Sequence, residues 1–146
     1  MSDFRKLSNT MLASPQISVE QIEEAREAGV TLVINNRPDG EAPDEPQGPE
    51  IEAAAKAAGM QYLAIPISHS GFSEPQVAAM QDAIETAEGG VLAYCRSGTR
   101  STLLWSLAQA RAGADPDATS QAARNAGYDI SPVRPAMDML AAKAKG

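Results

Sequence analysis

The sequence predicts an α/β domain in which a mostly parallel central sheet is flanked by helices. Short apolar segments rich in β-branched residues, such as Val30–Ile34, alternate with longer segments whose apolar residues recur at helical spacing. Glycines separate the two kinds of segment, as at Gly29 and at Gly89-Gly90. Strands that alternate with helices favour parallel pairing, because each helix returns the chain across the sheet. The length of 146 residues predicts one domain over residues 1–146.

Four regions have the composition of strands. Phe4–Leu12 predicts one or two short strands, and Val30–Ile34 is typical of a strand that is covered on both faces. Tyr62–Ile67 predicts a third strand region that frays at Pro66, since proline has no N–H to donate to a sheet. Val91–Tyr94 follows two glycines and predicts another buried strand.

The helices are predicted from their capping residues. Ser73 and Gln76 form a capping-box pattern, and Asp115 and Ser131 each precede a proline at the first helical position. Trp105 is expected at the margin of the core face of its helix. The predicted helices span residues 18–28, 50–58, 73–87, 101–112, 116–126 and 132–143.

Composition excludes several classes of function. The formal net charge of −7 opposes general binding of nucleic acid or of anionic membranes, which requires concentrated Lys and Arg. No apolar stretch approaches the roughly 18 residues of a membrane-spanning helix, so we expect a cytoplasmic protein with no nucleic-acid or membrane partner. A single cysteine permits no internal disulfide and no two-cysteine metal site. We therefore expect neither a metal nor a cofactor.

The single cysteine, Cys95, lies where an apolar strand gives way to a polar loop that opens a helix. Backbone N–H groups of such a loop, together with the positive end of the helix dipole, bind anions. The same field stabilises a thiolate over a thiol. A lone cysteine is more often a small buried apolar residue, but here strand, glycine-containing loop and helix coincide. Cys95 is therefore predicted to be a nucleophile.

Other polar residues are predicted at the same edge of the sheet. Ligands of parallel sheets bind beyond the carboxyl ends of the strands, where Cys95, Arg37, Asp39 and His69 all fall. The segment around Asp39 is also a good turn, in which Arg37 would simply pair with an acid. His69 is either an ordinary loop residue or an orienting donor or proton acceptor. Arg37, Asp39 and His69 are accordingly candidates of second rank.

Four segments carry a resemblance to a known family: residues 33–41, 62–67, 94–101 and 126–129. Through them the chain resembles the beta-lactamase-hydrolase-like family. The resemblance implies a cysteine-phosphatase-like fold, similar to that of dual-specificity phosphatases. Members of this family have been assigned either as phosphatases or as sulfurtransferases, so the resemblance leaves two chemistries open.

The residues around Cys95 favour sulfur transfer. Cysteine-dependent phosphatases typically have a Cys-x5-Arg loop, whereas Arg100 completes a Cys-x4-Arg loop that is similar to that of rhodaneses. Tyr94 stands where these phosphatases usually have His. The loop over residues 68–74 has no Asp that could act as the general acid, which phosphate-monoester cleavage needs and transfer from thiosulfate does not. We therefore predict a rhodanese-like sulfurtransferase.

In the predicted reaction, the Cys95 thiolate attacks the sulfane sulfur of a small anionic donor, thiosulfate or glutathione persulfide. The resulting persulfide then passes its sulfur to a thiol, sulfite or cyanide acceptor. Arg100 would stabilise the loop and its anion, and Arg96 would steer the donor or remain a solvated surface charge. Ser101 is expected to cap the helix, or alternatively to donate to the cysteine sulfur. Backbone N–H groups of three residues would bind the anion: Ser97, Gly98 and Thr99.

Two alternatives remain open at this point. The first is a cysteine-dependent phosphatase that acts through a phosphocysteine at Cys95. The second is a module without catalytic activity that binds anions or senses oxidants, because an exposed thiolate can be oxidised to a sulfenic acid in a protein that is not an enzyme.

Overall fold

A five-stranded sheet forms the centre of the computed structural model, which describes residues 3–38, 47–68 and 71–145. The strands are β1 (Arg5–Ser8), β2 (Met11–Ser14), β3 (Val30–Asn35), β4 (Gln61–Ala64) and β5 (Gly90–Tyr94). Their order across the sheet is β1-β2-β5-β3-β4, so β5 is central. The pair β1–β2 is antiparallel and the other neighbouring pairs are parallel. The predicted mostly parallel sheet is thus confirmed.

The helices are α1 (Val19–Glu27), α2 (Gly48–Ala57), α3 (Glu74–Thr86), α4 (Thr99–Arg111), α5 (Pro116–Asn125) and α6 (Arg134–Lys145). A 3₁₀ turn over Ser131–Val133 precedes α6. Ser18 and Ser73 close α1 and α3 with capping boxes. Among the described residues, no helix combines the length and apolar character that crossing a membrane requires.

Side chains alternate along the central strands and separate two apolar clusters. Val33 and Leu92 belong to the cluster on the side of α1 and α2, whereas Ile34 and Ala93 belong to the cluster shared with α3, α4, α5 and α6. This alternation follows from the two-residue period of a strand. Tyr94 continues it and lies fully buried in the α1–α2 cluster.

Helix α4 differs from its prediction at two points. It begins at Thr99 rather than Ser101, and Gly98 is its N-cap residue. Trp105 is only 3% exposed and lies in the core rather than at its margin. Helix α4 packs against β2, α3, α5 and α6, so other elements cover most of its circumference. Trp105 is therefore buried on a face that was expected to be partly exposed.

One other element ends as predicted, and two helices begin at residues other than the predicted ones. Strand β4 ends at Ala64, two residues before Pro66, which agrees with the predicted fraying. Helix α2 begins at Gly48 rather than Glu50, because a proline is tolerated in the first helical turn. Helix α6 begins two residues after Pro132. The Asp129 carboxylate accepts hydrogen bonds from both the backbone N–H (2.9 Å) and the hydroxyl (3.0 Å) of Ser131, so this serine does not cap an α-helix.

Candidate active site

The carboxyl ends of the central strands are aligned at one edge of the sheet. Tyr94 at the end of β5 is in register with Ser14 of β2 and with Asn35 of β3. Cys95 follows directly, and its N–H donates to the Ser14 carbonyl oxygen at 3.3 Å. On the other side, the Asn36 N–H donates to the Tyr94 carbonyl oxygen at 2.8 Å. The backbone of Cys95 is therefore anchored between the two neighbouring strands.

The Cys95 loop, residues 95–98, turns the chain from β5 into α4. The Cys95 side chain is fully buried, and the Gly98 N–H donates to its Sγ at 3.1 Å. Because the loop ends at the N-terminus of α4, the positive end of the helix dipole lies beside the sulfur. Both contacts place partial positive charge beside the sulfur of the predicted nucleophile.

The turn at the end of this loop requires glycine. Gly98 has a φ of +91°, a region that residues with a Cβ rarely adopt. A Cβ at this position would stand 2.1 Å from the Tyr128 hydroxyl oxygen and 3.3 Å from the Ser14 carbonyl carbon. The loop therefore reaches its conformation only because the side chain at position 98 is a hydrogen.

Tyr128 contacts the same loop, although it lies 31 residues after Ser97 in the sequence. Its hydroxyl donates to the Ser97 carbonyl oxygen at 3.2 Å. Burial raises the pKa of Tyr128, so the hydroxyl keeps its proton at neutral pH. The Arg5 guanidinium lies 5.0 Å from the centre of the tyrosine ring, and its Nη1 donates to the Ala126 carbonyl oxygen. No role was predicted for Tyr128, since no local signal in the sequence indicates a contact between residues 31 positions apart.

The predicted cap of α4 by Ser101 is wrong. Ser101 lies inside the first turn of the helix, three residues after the N-cap Gly98. Its hydroxyl is fully buried and has no hydrogen-bond partner within the described part of the chain. The exposed Ser97 hydroxyl donates a hydrogen bond to the Thr99 hydroxyl, with 3.0 Å between the two oxygens.

Two arginines line an open cleft beside the Cys95 loop. Arg96 is exposed, whereas Arg100 is half-buried and its Nη1 donates to the Ile67 carbonyl oxygen at 2.8 Å. The cleft has a volume of about 600 Å³, within the roughly 300–1,000 Å³ of ligand pockets. The described residues that line it include no carboxylate: Ile67, Ser68, Gly71, Phe72, Arg96, Arg100 and Leu103. The cleft is therefore suited to an anion.

Of the three candidates of second rank, the structure describes only Arg37, which lines a different cleft from the one beside the Cys95 loop. Arg37 is buried, its Nη1 donates to Gln16 Oε1 at 2.8 Å, and it lines a second, smaller cleft. Asp39 and His69 lie outside the described residues. Asn36 was not predicted as a site residue. It is fully buried and follows Asn35, just as Cys95 follows Tyr94, the partner of Asn35 in the sheet. The Asn36 Nδ2 donates to the Ile65 carbonyl oxygen, and its Oδ1 has no partner within the described ranges.

Comparisons with known proteins identify the relatives of this chain. The family model described as "Beta-lactamase hydrolase-like protein, phosphatase-like domain" matches residues 3–112. A beta-lactamase hydrolase-like protein from Xylella fastidiosa is 35% identical over 103 residues, which make up 70% of this chain and 24% of that relative. The chain thus covers less than a third of the length of this curated relative.

Solved structures agree in fold. The crystal structure of a candidate phosphatase from Neisseria meningitidis Z2491 has a TM-score of 0.83 at 30% identity and covers 96% of this chain and 99% of its own. A variant of P. aeruginosa TpbA, described in complex with phosphotyrosine, has a TM-score of 0.68 at 17% identity and covers 99% and 91% of the two chains. The predicted cysteine-phosphatase-like fold is confirmed.

The predicted rhodanese-like sulfurtransferase is wrong. The matching family model is described as a phosphatase-like domain and the similar Neisseria meningitidis structure as a candidate phosphatase, and neither is described as a sulfurtransferase. The short spacing between Cys95 and Arg100 does not separate the two chemistries. Arg100 lies in the first turn of α4, and from there its guanidinium still reaches the cleft beside the loop. The sulfur donors and acceptors predicted with that chemistry are not tested by these comparisons.

Proposed function

Because the chain belongs to the family of the phosphatase-like domain of beta-lactamase hydrolase-like proteins, we propose that it is a cysteine-dependent phosphatase that cleaves phosphomonoesters through Cys95. The observation that carries this proposal is the hydrogen bond of 3.1 Å from the Gly98 N–H to Cys95 Sγ at the N-terminus of α4. A sulfur held in this way is an activated nucleophile at the centre of an anion-binding loop.

The proposed reaction has two steps. First, the Cys95 thiolate attacks phosphorus, so that an S–P bond forms as the ester P–O bond breaks and the alcohol leaves with a proton taken from the surrounding water. Second, a water molecule attacks phosphorus, the S–P bond breaks, and inorganic phosphate leaves while the thiolate is regenerated. Neither step changes an oxidation state, and water is the only co-substrate.

Donors around the loop would stabilise the charge of both transition states. The Arg100 guanidinium, whose Nη1 donates to the Ile67 carbonyl oxygen, lines the cleft, and its planar set of N–H donors matches phosphoryl oxygens. The positive end of the α4 dipole would stabilise the same negative charge. The buried Ser101 hydroxyl has no hydrogen-bond partner among the described residues. We assign it as the donor to the Cys95 sulfur when the S–P bond breaks in the second step.

The nature of the leaving group decides which esters react fastest. The described residues that line the cleft include no carboxylic acid to protonate a departing alkoxide. A general acid contributes roughly 10²–10⁴-fold to such a step. Phenoxides leave without that help more readily than alkoxides. We therefore expect aryl phosphates to be cleaved faster than alkyl phosphates.

The test is hydrolysis of phenyl phosphate by the purified protein. The wild type should release inorganic phosphate, and acid quenching during turnover should leave a phosphoryl group on the Cys95 peptide in a mass spectrum. Cys95→Ser should lower kcat by at least about 10³-fold, the order expected when a nucleophile is removed. Urea unfolding of the variant should match the wild type. Turnover that persists in Cys95→Ser, or its absence in the wild type, would refute the proposal.

A further inference from the structure

An apolar groove begins where the cleft beside the Cys95 loop ends. The groove has a volume of about 400 Å³ and lies between α3, α4 and α6. Phe72 lines both the cleft and the groove, so the two adjoin at this side chain. The side chains that line the groove are mostly apolar: Phe72, Val77, Leu107, Pro132, Val133, Ala136, Met139 and Leu140, with Ser73, Glu74 and Lys143.

Helix α4 connects the two parts along one face. Leu103 lines the cleft, and Leu107, one helical turn further on, lines the groove. The helix begins at Thr99, beside the Cys95 loop. The eight steps from Thr99 to Leu107 correspond to about 12 Å along the helix axis. An apolar group about 12 Å long would therefore extend from a phosphoryl group at Cys95 into the groove.

The outer wall of the groove leaves apolar surface in contact with solvent. Met139 is 70% exposed, although it lies on α6 beside the partly buried Leu140. Methionine is unbranched and adapts its shape to an apolar ligand at little cost. Covering this side chain would be favourable, because each buried methylene contributes to binding.

We propose that the substrates of the Cys95 site are amphiphilic phosphomonoesters, whose phosphoryl group binds at the loop and whose apolar portion passes Phe72 into the groove. The inference rests on the proposed phosphatase function and adds the substrate class to it. A hydrocarbon portion suits this groove better than an extended peptide. A peptide would bury its N–H and C=O groups against apolar side chains, which is costly without hydrogen-bond partners.

The experiment compares phenyl phosphate with para-octylphenyl phosphate below the concentration at which the latter forms micelles. Both esters release a phenoxide, so the chemical step is matched and only the apolar portion differs. Each fully buried methylene improves affinity about fourfold, so burial of even two should lower KM by more than about tenfold at similar kcat. Met139→Asp should reduce this preference at least about fivefold, whereas Met139→Leu should retain it.

The matched control is Ala142→Asp, which places the same charge at an exposed position of α6 that does not line the groove. It should leave the preference unchanged. Calorimetric binding of the two esters to Cys95→Ser separates the two proposals. If the octylphenyl ester binds more tightly than phenyl phosphate and Met139→Asp weakens that binding, the groove proposal is supported. If the wild type at the same time hydrolyses neither ester, the phosphatase proposal is refuted. Equal KM values for both esters, or an equal effect of Ala142→Asp, would overturn the groove proposal and leave the phosphatase standing.

Discussion

Helices α1 and α4 both follow parallel strands at the same edge of the sheet, yet their N-termini differ. Strands β2 and β5 are neighbours, and each passes through a short loop into its helix. At α1, the Gln21 N–H donates to Ser18 Oγ and the Ser18 N–H donates to Gln21 Oε1, so the helix end is closed by its own side chains. At α4, the N-cap Gly98 has no side chain, and its N–H donates to the Cys95 sulfur.

This difference distinguishes a structural helix end from a functional one. The capping box at α1 satisfies backbone donors within the helix and so contributes to stability. At α4 the Gly98 N–H donates to the Cys95 sulfur and the Thr99 N–H donates to Ser97 Oγ at 3.3 Å, while Tyr128 packs against Gly98. The N-terminus of α4 therefore directs a backbone donor at the nucleophile that we propose.

Gly98→Ala should have the largest effect on this comparison. A positive φ costs an alanine roughly 1–2 kcal/mol, and displacing the Tyr128 hydroxyl from 2.1 Å adds overpacking of about 1–3 kcal/mol. We expect a loss of several kcal/mol in the free energy of unfolding in urea, together with most of the activity. Gly113→Ala is the matched control, since its φ is +95° but its nearest neighbour is the Ala144 Cβ at 3.7 Å. Equal losses in the two variants would show that Tyr128 does not constrain the loop.

Arg100→Lys should reduce kcat/KM for phenyl phosphate by about 10²-fold. Removal of one donor to a transition-state oxyanion typically costs about 10²–10³-fold, and lysine lacks the two-pronged geometry of arginine. Arg111→Lys is the control on the same helix, because Arg111 pairs with Glu74 at an exposed site. Steady-state kinetics of both variants provide the test, and similar losses in both would argue against a role for Arg100 in the transition state.

Tyr128→Phe should have a moderate effect on activity. It removes the hydrogen bond to the Ser97 carbonyl oxygen, worth about 1 kcal/mol. We expect kcat/KM to fall several-fold, mainly through kcat, because the loop loses its support while the substrate contacts remain. Tyr62→Phe removes a bond of similar length from Asn35 Nδ2 at 3.0 Å and serves as the control. It should lower stability without changing kcat, and an equal fall in kcat would exclude a specific role for Tyr128.

Ser18→Ala should have the smallest effect on function. Loss of an N-cap serine costs typically about 1 kcal/mol, so the free energy of unfolding in urea should decrease by about that amount. The kinetics with phenyl phosphate should not change, because Ser18 closes α1 and does not line the cleft. A fall in kcat/KM comparable with that of Tyr128→Phe would mean that the two helix ends do not differ in the way described.

Sequence patterns predicted most of the elements correctly. The start of α1 after Ser18, the capping box at Ser73 and the N-cap at Asp115 all lie where the sequence indicated. The position of Cys95 between a strand and a helix was equally clear. These signals are local, because a cap or a strand end depends on residues within a few positions of one another.

Two of the differences from prediction come from contacts between residues that are distant along the chain. Trp105 is buried because helices from the second half of the chain cover α4, and Tyr128 reaches Ser97 across 31 positions. Residue spacing within the loop suggested sulfur transfer, although the family comparisons indicate a phosphatase. Strand, helix and nucleophile positions follow from contacts between near neighbours in the chain. The environment of the nucleophile depends on which distant residues pack beside it, and packing is a property of the folded chain.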